Sequence, residues 1–191
     1  MPVMLDATVG GPNANSYLTL AEATAYFDTR LHSSVWEDSE DQEKSLIMAT
    51  RVLDMMLTPL KYLIRESSGK QYFITRPTWT GTPATLIQHL SWPRAGMFDR
   101  NGATIAATAI PQDLKDATAE LAFQLLSVDR TLDSDIAVQG ITSLKAGSVA
   151  LSFKDQIEAK VMPDAVWNLM PPSWFTLQLV ESAFTAQFEV I

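Results

Sequence analysis

A mainly α fold is predicted, with a core of about four helices, a β-hairpin and an extended, strand-forming C-terminal tail. Three observations carry this expectation. Apolar residues recur at helical spacing in two long stretches, one ending near Pro59 and one beginning at Pro111. Between Ile141 and Phe153 the period drops to two around Ala146-Gly147-Ser148. After Pro171-Pro172 the chain alternates again, with Phe175, Leu177 and Leu179 set against Thr176 and Gln178.

Residues 1–16 carry the breaker cluster Gly10-Gly11-Pro12-Asn13-Ala14-Asn15-Ser16 and read as an extended arm. Thr19 and Glu22 then fit a capping box, in which the hydroxyl accepts from the third helical N–H and the carboxylate reaches back. A short helix to about Arg30 follows from Ala21, Ala25, Phe27 and Leu31. A second box at Ser39-Glu40-Asp41-Gln42 opens a helix whose stripe is Leu46, Thr50, Leu53 and Leu57, widened by Ile47. Glu37, Asp38, Glu40, Asp41 and Glu43 crowd its start, where the helix dipole favours negative charge. Pro59 ends or kinks it.

Tyr62, Leu63 and Ile64 read as the core of that helix's end, and from Glu66 to Ser91 turn chemistry prevails, so a long loop or irregular excursion is expected. The helix from Pro111, suited to a first helical position, runs to about Val128 on the stripe Leu114, Ala117, Leu121, Leu125 and Val128, with Asp113, Asp116, Glu120 and Gln124 elsewhere. It belongs at the centre of the fold. In the hairpin Val149, Leu151 and Phe153 share one face, and residues 163–170 form a brief helix. Residues 1–160 thus read as one helical domain with arm and hairpin, and 161–191 as a C-terminal extension.

At 191 residues, 47% of them apolar, the chain is sized for a single core. It has no cysteine, which excludes disulfides, thiolate metal sites and thiol nucleophiles. A formal charge of −8 argues against broad phosphate-backbone binding. No apolar run approaches the roughly 20 residues of a membrane span, and the start lacks a secretory pattern, so no membrane partner is expected. His32 and His89 stand in unrelated segments with no ligand spacing, and neither a nucleophile elbow nor a phosphate loop occurs. An enzyme is not expected, nor are catalytic residues, a bound metal or a cofactor.

Two features remain. In residues 61–79, Lys61, Arg65, Lys70 and Arg76 alternate with Tyr62, Tyr72, Phe73 and Trp79, opposed only by Glu66. Cations that track phosphates beside rings that stack on bases are what a single-strand binder uses, so Lys70, Tyr72, Phe73, Arg76 and Trp79 are candidate nucleic-acid contacts. The second feature is the run from Met162 to Ile191, which holds Trp174, Phe175, Leu177, Leu179 and Phe188 among its large apolar residues and no Lys or Arg. Leaving such side chains in water forgoes about 1.5–3 kcal/mol each, so either this subunit's own core or a neighbour covers them. Leu144, Val149, Leu151 and Phe153 of the hairpin carry the same ambiguity.

The order of motifs adds a resemblance. Ala14-Asn15-Ser16-Tyr17-Leu18-Thr19-Leu20-Ala21-Glu22-Ala23 leads to Tyr26-Phe27 and Trp36. Lys44-Ser45-Leu46-Ile47-Met48-Ala49-Thr50-Arg51-Val52-Leu53-Asp54, Leu90-Ser91-Trp92-Pro93-Arg94 and Ile110-Pro111 follow. Over about residues 14–155 this resembles the head–tail connector or adaptor proteins of the tailed-bacteriophage neck, members of which are also labelled DnaT-like single-stranded-DNA-binding proteins. The resemblance implies an α-helical subunit of a homo-oligomeric ring, commonly twelve-fold. Such a ring sits below the portal protein, offers a docking surface to a tail, tail-tube or nozzle protein, and lines the channel through which genomic DNA passes without specific binding. It also implies a virion protein of the neck, made in the host cytoplasm, without catalytic residues. Asn15, Tyr17, the hairpin and the tail are the candidate contacts with neighbouring subunits, portal or tail. Removal of residues 172–191 is accordingly expected to weaken assembly more than folding.

Overall fold

The computed structural model describes residues 4–57, 77–131 and 161–176 in full, together with the backbone of 61–65, 71–75, 143–146 and 149–152. It is helix-rich, with short antiparallel strand pairs, in keeping with the expected mainly α class. The helices are α1 (Leu20–Phe27), α2 (Ser34–Glu37), α3 (Gln42–Met56), α4 (Gln112–Ser127) and α5 (Asp164–Leu169). The strands are β1 (Lys61–Arg65), β2 (Gln71–Thr75), β3 (Thr78–Trp79), β4 (Thr82–Pro83), β5 (Arg94–Ala95), β6 (Ser143–Ala146), β7 (Val149–Ser152) and β8 (Phe175–Thr176). They pair as β1–β2, β3–β8, β4–β5 and β6–β7.

Helix α1 starts at the expected capping box, with the Thr19 hydroxyl accepting from Glu22 N–H at 3.2 Å and Glu22 Oε2 accepting from Thr19 N–H at 2.8 Å. The second box does not form. Helix α3 opens at Gln42 behind Asp41 without a side-chain cap. There the Ser39 hydroxyl accepts from Asp41 N–H at 3.1 Å, and Gln42 Nε2 donates to the Trp36 carbonyl at 2.7 Å. The local hydrogen bond of Ser39 folds the approach into a turn, and Ser39 stands two residues ahead of the cap position.

Helix α4 packs on α3 and also meets α1, α2 and α5, so it holds the central place expected of it. Leu114, Ala117 and Leu121 are buried on α4, as are Leu46, Thr50, Leu53 and Leu57 on or just after α3. Two details differ from the sequence reading. Pro111 is the residue before the helix, in extended conformation, and Val128 lies beyond its end, 62% exposed. Glu120, expected on a polar face, is buried and forks onto Arg30 from the end of α1, with Nη2–Oε1 at 2.8 Å and Nε–Oε2 at 2.9 Å. The Arg30 guanidinium also lies 4.0 Å from the Phe123 ring centroid, and Phe27 stacks between Trp36 and Phe123.

The segment after α3 corrects the sequence reading most. Residues 61–65 and 71–75 form an antiparallel hairpin in the register Leu63↔Phe73 and Ile64↔Tyr72, not a helix end followed by a loop. The expected hairpin at 143–152 is present, with Leu144↔Leu151 and Ala146↔Val149 in register.

A second part of the core is aromatic. Trp79 meets Trp92 edge-on at 5.7 Å between centroids, Trp92 meets Trp174 at 4.9 Å, and Phe175 lies 5.3 Å from Trp79. Trp174 Nε1 donates to the Phe98 carbonyl at 2.7 Å. Met162, Val166, Met170 and Trp174 are all buried, so residues 161–176 pack into the same core as the helices.

Candidate functional site

Three segments that the sequence keeps far apart meet at one junction: the arm, the C-terminal half of α3 and the loop that carries Ser91. The first is the arm. Asn15 Oδ1 accepts from Asp6 N–H at 2.8 Å, the Asn15 and Ser16 N–H groups donate to the Asp6 carbonyl at 2.8 and 3.1 Å, and Asn15 Nδ2 donates to the Met4 carbonyl at 3.0 Å. The arm is therefore closed on itself rather than extended and free. It is then pinned to α3: Tyr17 N–H donates to the Thr50 hydroxyl at 3.3 Å, and the Tyr17 hydroxyl donates to Asp54.

The second carboxylate oxygen of Asp54 accepts from Ser91 N–H at 3.0 Å, which brings in the third segment, the loop of residues 80–94. Two side chains hold that loop from within. Arg94 is buried and donates to three carbonyls, Thr80 at 2.7 Å, Gly81 at 2.9 Å and Ser91 at 3.0 Å. Gln88 Nε2 donates to the carbonyls of Leu90 and Pro93 at 2.8 and 3.0 Å, while its Oε1 accepts from Thr85 N–H at 2.9 Å. His89 N–H reaches back to the Gly11 carbonyl at 3.2 Å. Gly81 turns the chain at φ +63°, where a Cβ would lie 2.4 Å from the Ala95 carbonyl oxygen.

Burial dominates the electrostatics of this junction. It pushes the Asp54 carboxyl up from its ordinary value despite the donors on it, and it pushes the Tyr17 hydroxyl well up, a shift that the adjacent carboxylate reinforces. Burial also lowers Arg94, against the attraction of Tyr17 and Asp54. With Tyr17 and Ser91 donating to it, Asp54 ties arm to loop.

Beside this junction lies an open groove of about 390 Å³, lined by Asn15, Ile47, Arg51, Met55, His89 and Leu90 among others. Met55 on its lining is 50% exposed, and the arm and loop that supply Asn15 and His89 to it carry the exposed apolar residues Met4 (82%), Leu86 (104%) and Ile87 (71%). The last two stand on the loop that Gln88 and Arg94 hold. A groove of mixed polar and apolar lining with aliphatic side chains around it suits a protruding polypeptide segment. A smaller, almost wholly apolar hollow of about 200 Å³ is lined by Pro77, Trp167, Met170, Pro172 and Phe175.

The residues singled out from the sequence are scattered by the fold. Asn15 and Tyr17 belong to the junction, Tyr17 buried and Asn15 on the groove wall. Trp174 is core and Phe175 is half-buried against Trp79 and Trp167. Trp79 is 7% exposed inside the tryptophan cluster, so it offers no face to a base. Tyr72 and Phe73 take register positions on β2, and Leu144, Val149 and Leu151 on β6 and β7. Lys70, Arg76, Phe153, Leu177, Leu179 and Phe188 lie outside the described residues. Asp54, Ser91 and Arg94, which build the junction, stand in the quoted motifs, but nothing local in the sequence gave them a role. His89, which has no ligand spacing in the sequence, is exposed and lines the groove.

A family model described as "Putative DnaT-like ssDNA binding protein" matches residues 1–62 and 61–181. Neither the curated proteins nor the solved structures contain a match.

Proposed function

From the premise that this chain belongs to the DnaT-like ssDNA-binding protein family, we propose that it is a structural head-to-tail adaptor of a tailed bacteriophage. In this reading copies form a ring beneath the portal, give the tail its docking surface and line the DNA passage. The observation that carries it is the groove beside Asp54, where a loop held by Arg94 and Gln88 exposes Leu86 and Ile87 to solvent. Exposed aliphatic side chains on a tied loop are suited to a protein partner, not to a phosphate backbone. The charge of −8 supports the same reading, since a passage through which DNA slides should not grip it. The order of motifs from Asn15 to Pro111 supports it as well. Reconstruction of the virion neck is the test: density for this chain between shell and tail is expected, and its absence from mature particles overturns the proposal.

A second reading, direct binding of single-stranded DNA, is the one that the family's description favours. Residues 61–79 add to it, because the strand that carries Lys61 and Arg65 pairs in one hairpin with the strand that carries Tyr72 and Phe73. Oligonucleotide titration at two salt concentrations decides. Binding that weakens steeply with salt and loses about 1–3 kcal/mol per stacked base in Tyr72→Ala or Phe73→Ala establishes this reading. No binding at low salt removes it.

A further inference from the structure

Helix α3 carries two unlike surfaces at its two ends. Before and at its N-terminus, Glu37, Asp38, Glu40 and Asp41 are exposed, and the exposed apolar residues Leu31 (82%) and Val35 (40%) precede them. At its C-terminal half lies the groove, lined by the exposed Arg51 and, from the loop, by His89, with the Asp54 carboxyl engaged by Tyr17 and Ser91 also on the lining. Met55 supplies exposed apolar surface on the lining, and Leu86 and Ile87 stand exposed on the loop that carries His89. Among the described residues Arg51 makes no ion pair, whereas the other described basic residues within helices, Lys44 and Lys115, each have a carboxylate partner. In a chain of net charge −8, an open guanidinium beside aliphatic side chains is the exception that asks for an acidic, apolar partner. The acidic turn before α3 has that composition, and it belongs to this same chain.

We infer that the acidic α2–α3 turn of one copy docks in the Arg51–His89 groove of a second copy. The two faces are different, with Asp41 and Arg51 about 15 Å apart along the axis of α3. The contact is therefore heterologous, each subunit offering one face to the neighbour before it and the other to the neighbour after it, which is how a ring is generated when the rotation closes. Charge opposition sets the direction of docking, and Leu31 and Val35 meeting Met55, Leu86 and Ile87 remove apolar surface from water. This assignment deepens the ring reading above and rests on it.

The test is charge reversal in the full-length protein, read by sedimentation velocity over a wide concentration range with circular dichroism as the check of folding. Arg51→Glu alone, and Asp38→Lys with Glu40→Lys, are each expected to move self-association to at least about tenfold higher concentration. Combined in one chain, or mixed as two chains, the reversed faces are expected to recover most of that loss. Leu86→Ser with Ile87→Ser is expected to weaken association to a similar degree. Reversals that leave association of a folded protein unchanged, or whose effects add instead of cancelling, overturn the contact. So does a wild-type protein that stays monomeric at every concentration. That last result leaves the adaptor reading standing, because density in the virion neck decides that independently. Variants that self-associate normally but fail to enter the neck also overturn it, and assign the groove to another component.

Discussion

Arg30 and Glu120 lie 90 residues apart and close on each other through two charge-assisted hydrogen bonds at the edge of the core. Truncating one partner strands the other where solvent reaches it poorly, with Arg30 and Glu120 side chains 26% and 11% exposed. Arg30→Ala is expected to cost about 2 kcal/mol, to be measured by urea denaturation, and to cost little once Glu120 is replaced by Gln. Asp54 makes a prediction of a different kind. Its carboxyl is raised in the folded protein by burial, so between the unfolded value of about 3.9 and that raised value the folded state holds a proton that the unfolded chain has released. Its contribution to stability is thus largest at low pH and declines as pH rises through this window. Thermal melts of wild type and Asp54→Asn from pH 4 to 8 are expected to show the wild-type Tm falling relative to the variant as pH rises. At this scale the sequence was legible where partners are near in the chain. Thr19 and Glu22, three residues apart, were readable as a cap. Glu120, Asp54 and Arg94 were not, because nothing near them in sequence distinguishes a buried, paired charge from a solvated one.

Among the elements, α3 and α4 were readable because a helix that buries one face must repeat its apolar residues every three or four positions. Leu121 sits wholly buried in the middle of the α4 stripe. Leu121→Asp places a charge there without a partner and is expected to abolish cooperative folding, checked by loss of the thermal transition in circular dichroism. The hairpin of β1 and β2 escaped for a stated reason. Tyr62, Leu63 and Ile64 are three apolar residues in succession, and a short apolar run has no period by which to tell a strand from a helix end. Strands of two residues, such as β3, β4, β5 and β8, leave no pattern at all; pairing and the tryptophan cluster position them. The hairpin of β6 and β7 was readable because Gly147 lies between two alternating runs.

For the molecule as a whole, the tryptophans decide what counts as core. Trp79 and Trp92 are near neighbours in sequence, whereas Trp174 is contributed by the part of the chain that the sequence presents as an extension. Removing residues 172–191 takes Trp174 out of the cluster and opens a cavity beside Trp92, at a cost of about 3–5 kcal/mol for the indole alone. The deletion is therefore expected to lower Tm sharply in thermal denaturation, instead of sparing the fold and affecting assembly alone. The loop of residues 80–94 has a further consequence. Arg94 and Gln88 satisfy five of its carbonyls from within, at Thr80, Gly81, Ser91, Leu90 and Pro93. Whatever meets Leu86 and Ile87 encounters a surface whose conformational freedom was given up during folding, not at encounter. A partner of the proposed kind would dock there as a rigid body, and Gln88→Ala is expected to lower its association rate by leaving the free chain more shapes to search.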